Sequence, residues 1–188
     1  MRNKETARVR GEWVPHARGD VLEVGIGSGL NLPFYSAEVR RIYGVEPSSE
    51  LQKLARKRSV GKAIEVEFFS QSAEEHLPLP DQSVDTVVMT WTLCSIADPP
   101  RALRQMKRVL KPRGRLVFVE HGRAPDSGVA AWQDRLTPVW KRIGGGCHLN
   151  RKIDALLVEA GFAIDELRTT YLPGPRPMTY TYQGFAHA

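Results

Sequence analysis

Leu22-Glu23-Val24-Gly25-Ile26-Gly27-Ser28-Gly29 decides how this chain is read. The apolar start of the stretch is that of a strand, which ends where the glycines begin. Three glycines in alternate positions let the backbone turn sharply and approach a ligand with no side chain in the way, because glycine tolerates φ > 0 at little cost. Glu46, in Val45-Glu46-Pro47, follows Gly29 by seventeen residues. At the tip of the next strand its carboxylate is suitably placed to accept hydrogen bonds from both hydroxyls of a ribose. Together these features predict an adenosyl-ligand site.

The spacing discriminates between adenosyl ligands. A dinucleotide fingerprint wants G-x-G-x-x-G, the third glycine letting the helix pack close with its N-terminus facing a pyrophosphate. Counted from Gly25, that third position is Leu30. The loop is G-x-G-x-G instead. Glu23, two residues before the first glycine, suits an ammonium group better than a pyrophosphate. This favours S-adenosyl-L-methionine, which carries an α-amino group, a carboxylate and a sulfonium, over a nicotinamide cofactor. The stretch resembles the first motif of the class I S-adenosylmethionine-dependent methyltransferases, an acidic residue followed by x-G-x-G-x-G.

From about Asp20 to Phe185 further stretches carry the same resemblance. Ser70-Gln71-Ser72-Ala73-Glu74, with Leu77-Pro78-Leu79-Pro80-Asp81-Gln82-Ser83-Val84-Asp85, is similar to the ubiquinone-biosynthesis-type subgroup, the methyltransferase type 11 domain. In that subgroup an acid bonds the adenine amino group and the next backbone N–H meets a ring nitrogen. Ser72 stands at the acid position, so the contact that carries over is the backbone one at Ala73. Leu103-x-x-Met106-x-Arg108-Val109-Leu110-Lys111-Pro112-x-Gly114-x-Leu116, leading to Glu120-His121, resembles that family's helix, turn and fifth strand. The resemblance implies an α/β fold: a doubly wound, mostly parallel seven-stranded sheet with an antiparallel last strand, in the Rossmann-like manner.

Two more segments narrow the likeness. Leu93-Cys94-Ser95-Ile96-Ala97-Asp98-Pro99 and the run from Trp140 through Gly144-Gly145-Gly146-Cys147-His148-Leu149-Asn150-Arg151 resemble the group containing alkyl-thiol S-methyltransferases. Relatives in that group carry additional N-terminal residues, so part of the wall shielding the cofactor is expected to be missing here, and with it any anchor.

Alternating patterns agree with this architecture. Strands are expected at Asp20–Val24, Arg41–Val45, Glu65–Phe69, Val84–Thr90 and Arg115–Glu120, with two more at Ile164–Tyr171 and Met178–His187. Ser48 caps a helix running to about Arg58, and Pro99-Pro100 opens one ending near Leu110, stopped by a turn at Lys111-Pro112-Arg113-Gly114. Helices follow at Val129–Ile143 and Arg151–Ala160. At 188 residues and 41% hydrophobic, the chain suits one compact domain over residues 1–188. It has no apolar run of the roughly 18 residues a spanning helix needs and no apolar signal core, and reads as soluble and cytoplasmic. Cys94 and Cys147 have neither metal-site nor disulfide-framework spacing and read as small buried apolar residues, with no metal expected.

Ligands of open α/β sheets bind at the carboxyl ends of the strands. That rule gathers Glu23, Gly25, Gly27, Gly29, Asn31, Glu46, Pro47, Ser72, Ala73, Thr90 and Trp91 as cofactor-binding candidates. Asn31 either bonds the cofactor carboxylate or caps the short helix begun by Pro33. Trp91 walls the adenine, reaches towards the methyl group, or is plain core.

Methyl transfer is an in-line displacement that requires positioning, plus a base where the acceptor arrives protonated. Thiols need the least help, since their free pKa lies near 8.5. His121, His148 and Arg151 are the catalytic candidates, each also compatible with a structural role. Trp132, Leu136, Val139, Trp140 and Ile143 recur at helical spacing, either as a core-facing stripe or as an apolar lid over a small hydrophobic acceptor, and Pro138 predicts a kink.

The net charge is +6, from 27 Lys plus Arg against 21 Asp plus Glu. No nucleic-acid motif accompanies it, which disfavours a nucleic-acid substrate, while peripheral contact with a membrane stays compatible. The leading function is methyl transfer to a small, apolar acceptor, a thiol or other soft nucleophile. A quinone precursor or phospholipid headgroup is the nearest rival, and a non-catalytic adenosyl- or nucleic-acid-binding module the alternative of another class. The sequence does not fix the oligomeric state.

Overall fold

The computed structural model describes residues 4–188. Seven strands form one sheet: β1 (Gly19–Val24), β2 (Val39–Val45), β3 (Glu65–Phe69), β4 (Val84–Thr90), β5 (Leu110–His121), β6 (Ala163–Tyr171) and β7 (Tyr180–His187). Their order is β3-β2-β1-β4-β5-β7-β6. β1 to β5 pair in parallel, and β7 is antiparallel to both neighbours, as expected. The helices are α1 (Lys4–Trp13), α2 (Ser49–Ser59), α3 (Pro99–Val109), α4 (Ser127–Ile143) and α5 (Ile153–Glu159).

Strand side chains point alternately to the two faces, so a sheet covered on both sides needs near-continuous apolar strands. Leu22, Val24, Val87, Met89, Leu116 and Phe118 face one core with Leu103 and Met106 of α3 and Leu157 of α5. Val21, Val88, Val117 and Val119 face the other, beneath Val9 and Trp13 of α1. The central strands are thereby held from both sides, and their carboxyl ends are fixed in position relative to one another.

Three sequence expectations change. First, α1 was not foreseen. Its buried positions are Thr6, Val9, Arg10 and Trp13, two of them polar, so no apolar period announces it. Its Arg10 lines the cleft at the carboxyl ends of the strands, and its Glu5 and Thr6 the smaller cavity beside it.

Second, the turn at Lys111–Gly114 lies inside β5 as a bulge: Val84 pairs with Leu110, but Thr86 already pairs with Arg115. The backbone folds so closely over Leu110 that a Cβ on Gly114 would sit 2.5 Å from its Cδ1, and Lys111 Nζ reaches Asp85 at 2.6 Å.

Third, the apolar stripe of α4 is no core face. Trp132, Val139 and Ile143 are exposed, and the helix buries Ala130, Gln133 and Thr137 instead. Gln133 accepts from the Ala124 N–H at 2.8 Å and donates to the carbonyls of Gly122 and Pro177. Backbone groups left unpaired by the connection after β5 thus select a polar residue at the buried position.

Several basic side chains brace the fold. Arg58 donates to the Ser28 carbonyl of the glycine loop, Arg56 stacks on Phe68 at 4.5 Å, and Arg108 donates to the carbonyls of Leu77 and Leu79. No helix among the described residues is long and apolar enough to cross a membrane.

Candidate functional site

A cleft of about 670 Å³ opens at the carboxyl ends of the parallel strands. Of the expected cofactor residues, Gly25, Gly27, Glu46, Pro47, Ser72, Ala73, Thr90 and Trp91 line it, while Glu23, Gly29 and Asn31 stand behind it. Arg10, Glu74, Thr92, Ser95 and Gly145 also line it and were not singled out beforehand.

The three loop glycines all have positive φ but serve different ends. A Cβ on Gly25 would lie 2.4 Å from both Cγ2 and Oγ1 of Thr92, and one on Gly29 would lie 3.1 Å from the Ala55 Cα of α2. Those two let protein pack against protein. A Cβ on Gly27 would meet nothing nearer than 3.8 Å, so Gly27 is the position where the backbone is bared to the cleft. Glu46 fixes that surface: Oε2 accepts from the Gly27 N–H at 3.1 Å and Oε1 from the Ser48 N–H at 2.8 Å. Ser48 in turn caps α2, accepting from the Leu51 N–H. A bare glycine backbone and an almost buried carboxylate in one cleft suit an adenosyl group with its ribose.

Behind the loop, Glu23 accepts from Asn31 Nδ2 and from the Tyr35 hydroxyl, both at 2.9 Å. Asn31 Nδ2 also reaches Thr90 Oγ1 at 3.0 Å, and its Oδ1 accepts from Arg10 Nε at 3.0 Å. The Asn31 side chain forms no helix cap. It is the hub tying α1, β1 and β4 together, and it orients Arg10, whose guanidinium lies 4.6 Å from the centre of the Trp91 ring.

Burial, outweighing the hydrogen bonds each accepts, lifts Glu23 and Glu120 from 4.5 to about 7. Between those pH values the folded chain keeps protons that the unfolded chain has released. The contribution of each to stability is therefore largest below pH 4.5 and is lost as pH rises to 7. Its slope reaches at most about 1.4 kcal/mol per pH unit for each group. Urea titrations from about pH 5 to about pH 7 should show Glu23→Gln with a shallower fall in stability than wild type; identical slopes would mean that Glu23 does not titrate there.

Trp91 forms the boundary between this cleft and a second, smaller cavity of about 150 Å³. It is not a glycine, yet its φ is +52°, a conformation that persists only where the surroundings enforce it. Its N–H donates to the Val119 carbonyl at 2.7 Å, and the fully buried Glu120 takes the N–H groups of Thr92 and Cys94 at 2.9 and 3.2 Å. The carboxylate ahead of His121 thus pins the loop that presents Trp91.

The small cavity is walled by Trp91, Trp140, Leu149, Leu172 and Met178 together with His121 and Cys147, and α1 closes it with Glu5 and Thr6. His148 and Arg151 line neither cavity. The His148 N–H holds the Cys94 carbonyl at 2.7 Å, and burial followed by the charges of Arg151 and Lys141 lowers the pKa of its imidazole. Arg151 donates to the Leu93 carbonyl. Both clasp the loop after β4 to the glycine-rich segment, which Asp134 of α4 also anchors through Asn150 and Arg123.

A glycine turn after β1, an acid at the end of β2 and this strand order define the class I S-adenosylmethionine-dependent methyltransferase fold. Residues 22–118 match the methyltransferase domain family, and the chain belongs to it. It is 36% identical over 158 residues to thiol S-methyltransferase TMT1B of Rattus norvegicus, covering 82% of this chain and 64% of that protein. Human thiol S-methyltransferase TMT1A is 33% identical over 177 residues, covering 89% of this chain and 71% of that protein. The chain thus spans about two thirds of these relatives' length. Among solved structures, a SAM-dependent methyltransferase of Methanosarcina mazei shares the fold with a TM-score of 0.70 at 22% identity, covering 89% of this chain and 91% of that one.

Proposed function

We propose that the chain transfers a methyl group from S-adenosyl-L-methionine to the sulfur of a small, apolar thiol. The observation that carries this reading is the pair of cavities sharing Trp91: one built from bare glycine backbone and Glu46, the other mostly apolar, with the His121 imidazole and the Cys147 thiol in its wall and Glu5 and threonines at its edge. Glu46 would hold the ribose hydroxyls, Ala73 the adenine edge, and Arg10, the basic side chain of the cleft wall, the amino-acid carboxylate. The cofactor supplies an activated methyl carbon. The chain's own task is to exclude water and hold the acceptor atom in line with that carbon, which requires no protein nucleophile.

The small cavity fits the reacting end of a compact apolar acceptor and little more. The likeness to thiol S-methyltransferases supports sulfur as the methylated atom. A reducing, cytoplasmic setting belongs to the same proposal, since Cys94 and Cys147 are unbridged. Incubation with methyl-labelled S-adenosylmethionine and panels of thiols, phenols, quinols and lipids, read by mass spectrometry, should give labelled thioethers. Label on a quinol or a phospholipid headgroup, with none on thiols, would overturn the choice of acceptor.

A further inference from the structure

Cys94 and Cys147, read from sequence as separate small apolar residues, meet across the loop after β4 and the glycine-rich segment, their sulfurs 3.5 Å apart. Cys147 Sγ is also 3.7 Å from His121 Nδ1. His121 is 4% exposed, and its Nε2 is a buried side-chain polar atom with no hydrogen-bond partner among the described residues. A buried polar atom left unpaired costs about 1–3 kcal/mol, so its persistence calls for an explanation. Here the residue carrying it lines the acceptor cavity, and so does Cys147.

Resting on the thiol reading above, we propose that Cys147 is a positioning residue that holds His121 in the tautomer with hydrogen on Nδ1 and a bare lone pair on Nε2, making Nε2 the base for the acceptor. The two ring nitrogens of a neutral imidazole divide one proton between them, and the partner of one decides the role of the other. With the Nδ1–H donated to the Cys147 sulfur, Nε2 can only accept.

In the proposed step the acceptor S–H bond breaks, its proton passes to Nε2, and its electron pair stays on the acceptor sulfur to form the new bond to the methyl carbon. The bond between that carbon and the donor's sulfonium sulfur breaks, its electrons staying on the donor sulfur to leave S-adenosylhomocysteine. The imidazolium returns the proton to water when product leaves. Contact with Cys94, reinforced by His121 against burial, lowers the pKa of Cys147, while the same contact raises that of Cys94. The direction of that shift makes the Cys147 sulfur the better acceptor for Nδ1–H. The other charged or titratable groups facing this cluster are Glu120 and Arg151 beside the cysteines, His148 next in the chain, and Glu5 across the cavity. Trp140 lines the same cavity.

The test uses nitrogen-15 NMR of the imidazoles in the full chain, with S-adenosylhomocysteine affinity as the check that each variant folds. Wild type should show His121 with a bare Nε2, Cys147→Ala should show mixed or reversed tautomers, and Cys147→Ser should restore part of the wild-type signature. In turnover with a thiol that wild type methylates, Cys147→Ala should lower kcat about tenfold or more, most at low pH, with KM little changed. A protonated Nε2 in wild type, or an unchanged tautomer in Cys147→Ala, would overturn the proposal. A bare Nε2 in a wild type that methylates no thiol would support the Cys147–His121 pairing and overturn the thiol reading separately. If Cys147→Ala does not fold, the wild-type tautomer and Cys147→Ser decide the matter.

Discussion

Gly27→Val is expected to abolish S-adenosylhomocysteine binding, with affinity falling at least about 100-fold, close to 3 kcal/mol, while the fold survives. Gly27 has a φ of +53°, and its Cβ position is open on the cleft side, 3.9 Å from the Glu46 carboxylate. A branched side chain there would occupy the space where a nucleoside must approach the backbone. Left-handed strain adds about 1–2 kcal/mol of destabilisation, which most folded domains tolerate. Gly27→Ala introduces the Cβ with less strain and should reproduce most of the loss.

The informative contrast is Gly25→Ala. Its new atom would collide with Thr92 at 2.4 Å, so thermal stability should fall before ligand affinity can be judged. Calorimetry and circular-dichroism melts on the three variants separate the two roles. Wild-type affinity in Gly27→Ala would remove the close-approach argument.

That contrast shows how far the sequence could be read. Its spacing placed Gly27 and Glu46 in one crevice because both belong to consecutive strand ends, and parallel pairing of β1 with β2 brings such ends together. The separate uses of the three glycines were not legible, since Thr92 and Ala55 come from remote segments. Arg10 was missed for a related reason: α1 buries Thr6 and Arg10 as well as Val9 and Trp13, so its inner face carries no apolar period. In α4 the period was present, but Trp132, Val139 and Ile143 point outwards and only Trp140 lines the small cavity, because Gln133 is needed inside to satisfy backbone groups of Gly122, Ala124 and Pro177. Cys94 and Cys147 are 53 residues apart. Only the β4–β5 pairing, together with the clasp of His148 onto Cys94, creates their contact with His121. The motifs thus showed which strand ends matter, while the side chains behind and between them depended on tertiary packing.

Glu46→Ala should weaken S-adenosylhomocysteine by about 1.5–3 kcal/mol, the range for hydrogen bonds to a charged group. The loss alone would be ambiguous, because the same carboxylate accepts from the Gly27 and Ser48 N–H groups. Removing it both deprives the ribose of a partner and loosens the loop. An analogue lacking both ribose hydroxyls separates the effects. If Glu46 holds the ribose, Glu46→Ala should cost the analogue much less than the parent ligand, since the analogue has no hydroxyls to lose contact with. If it acts only by bracing the glycine turn, both ligands should weaken by the same factor. The difference between the two losses is then the coupling between carboxylate and ribose, free of the contribution from the loop.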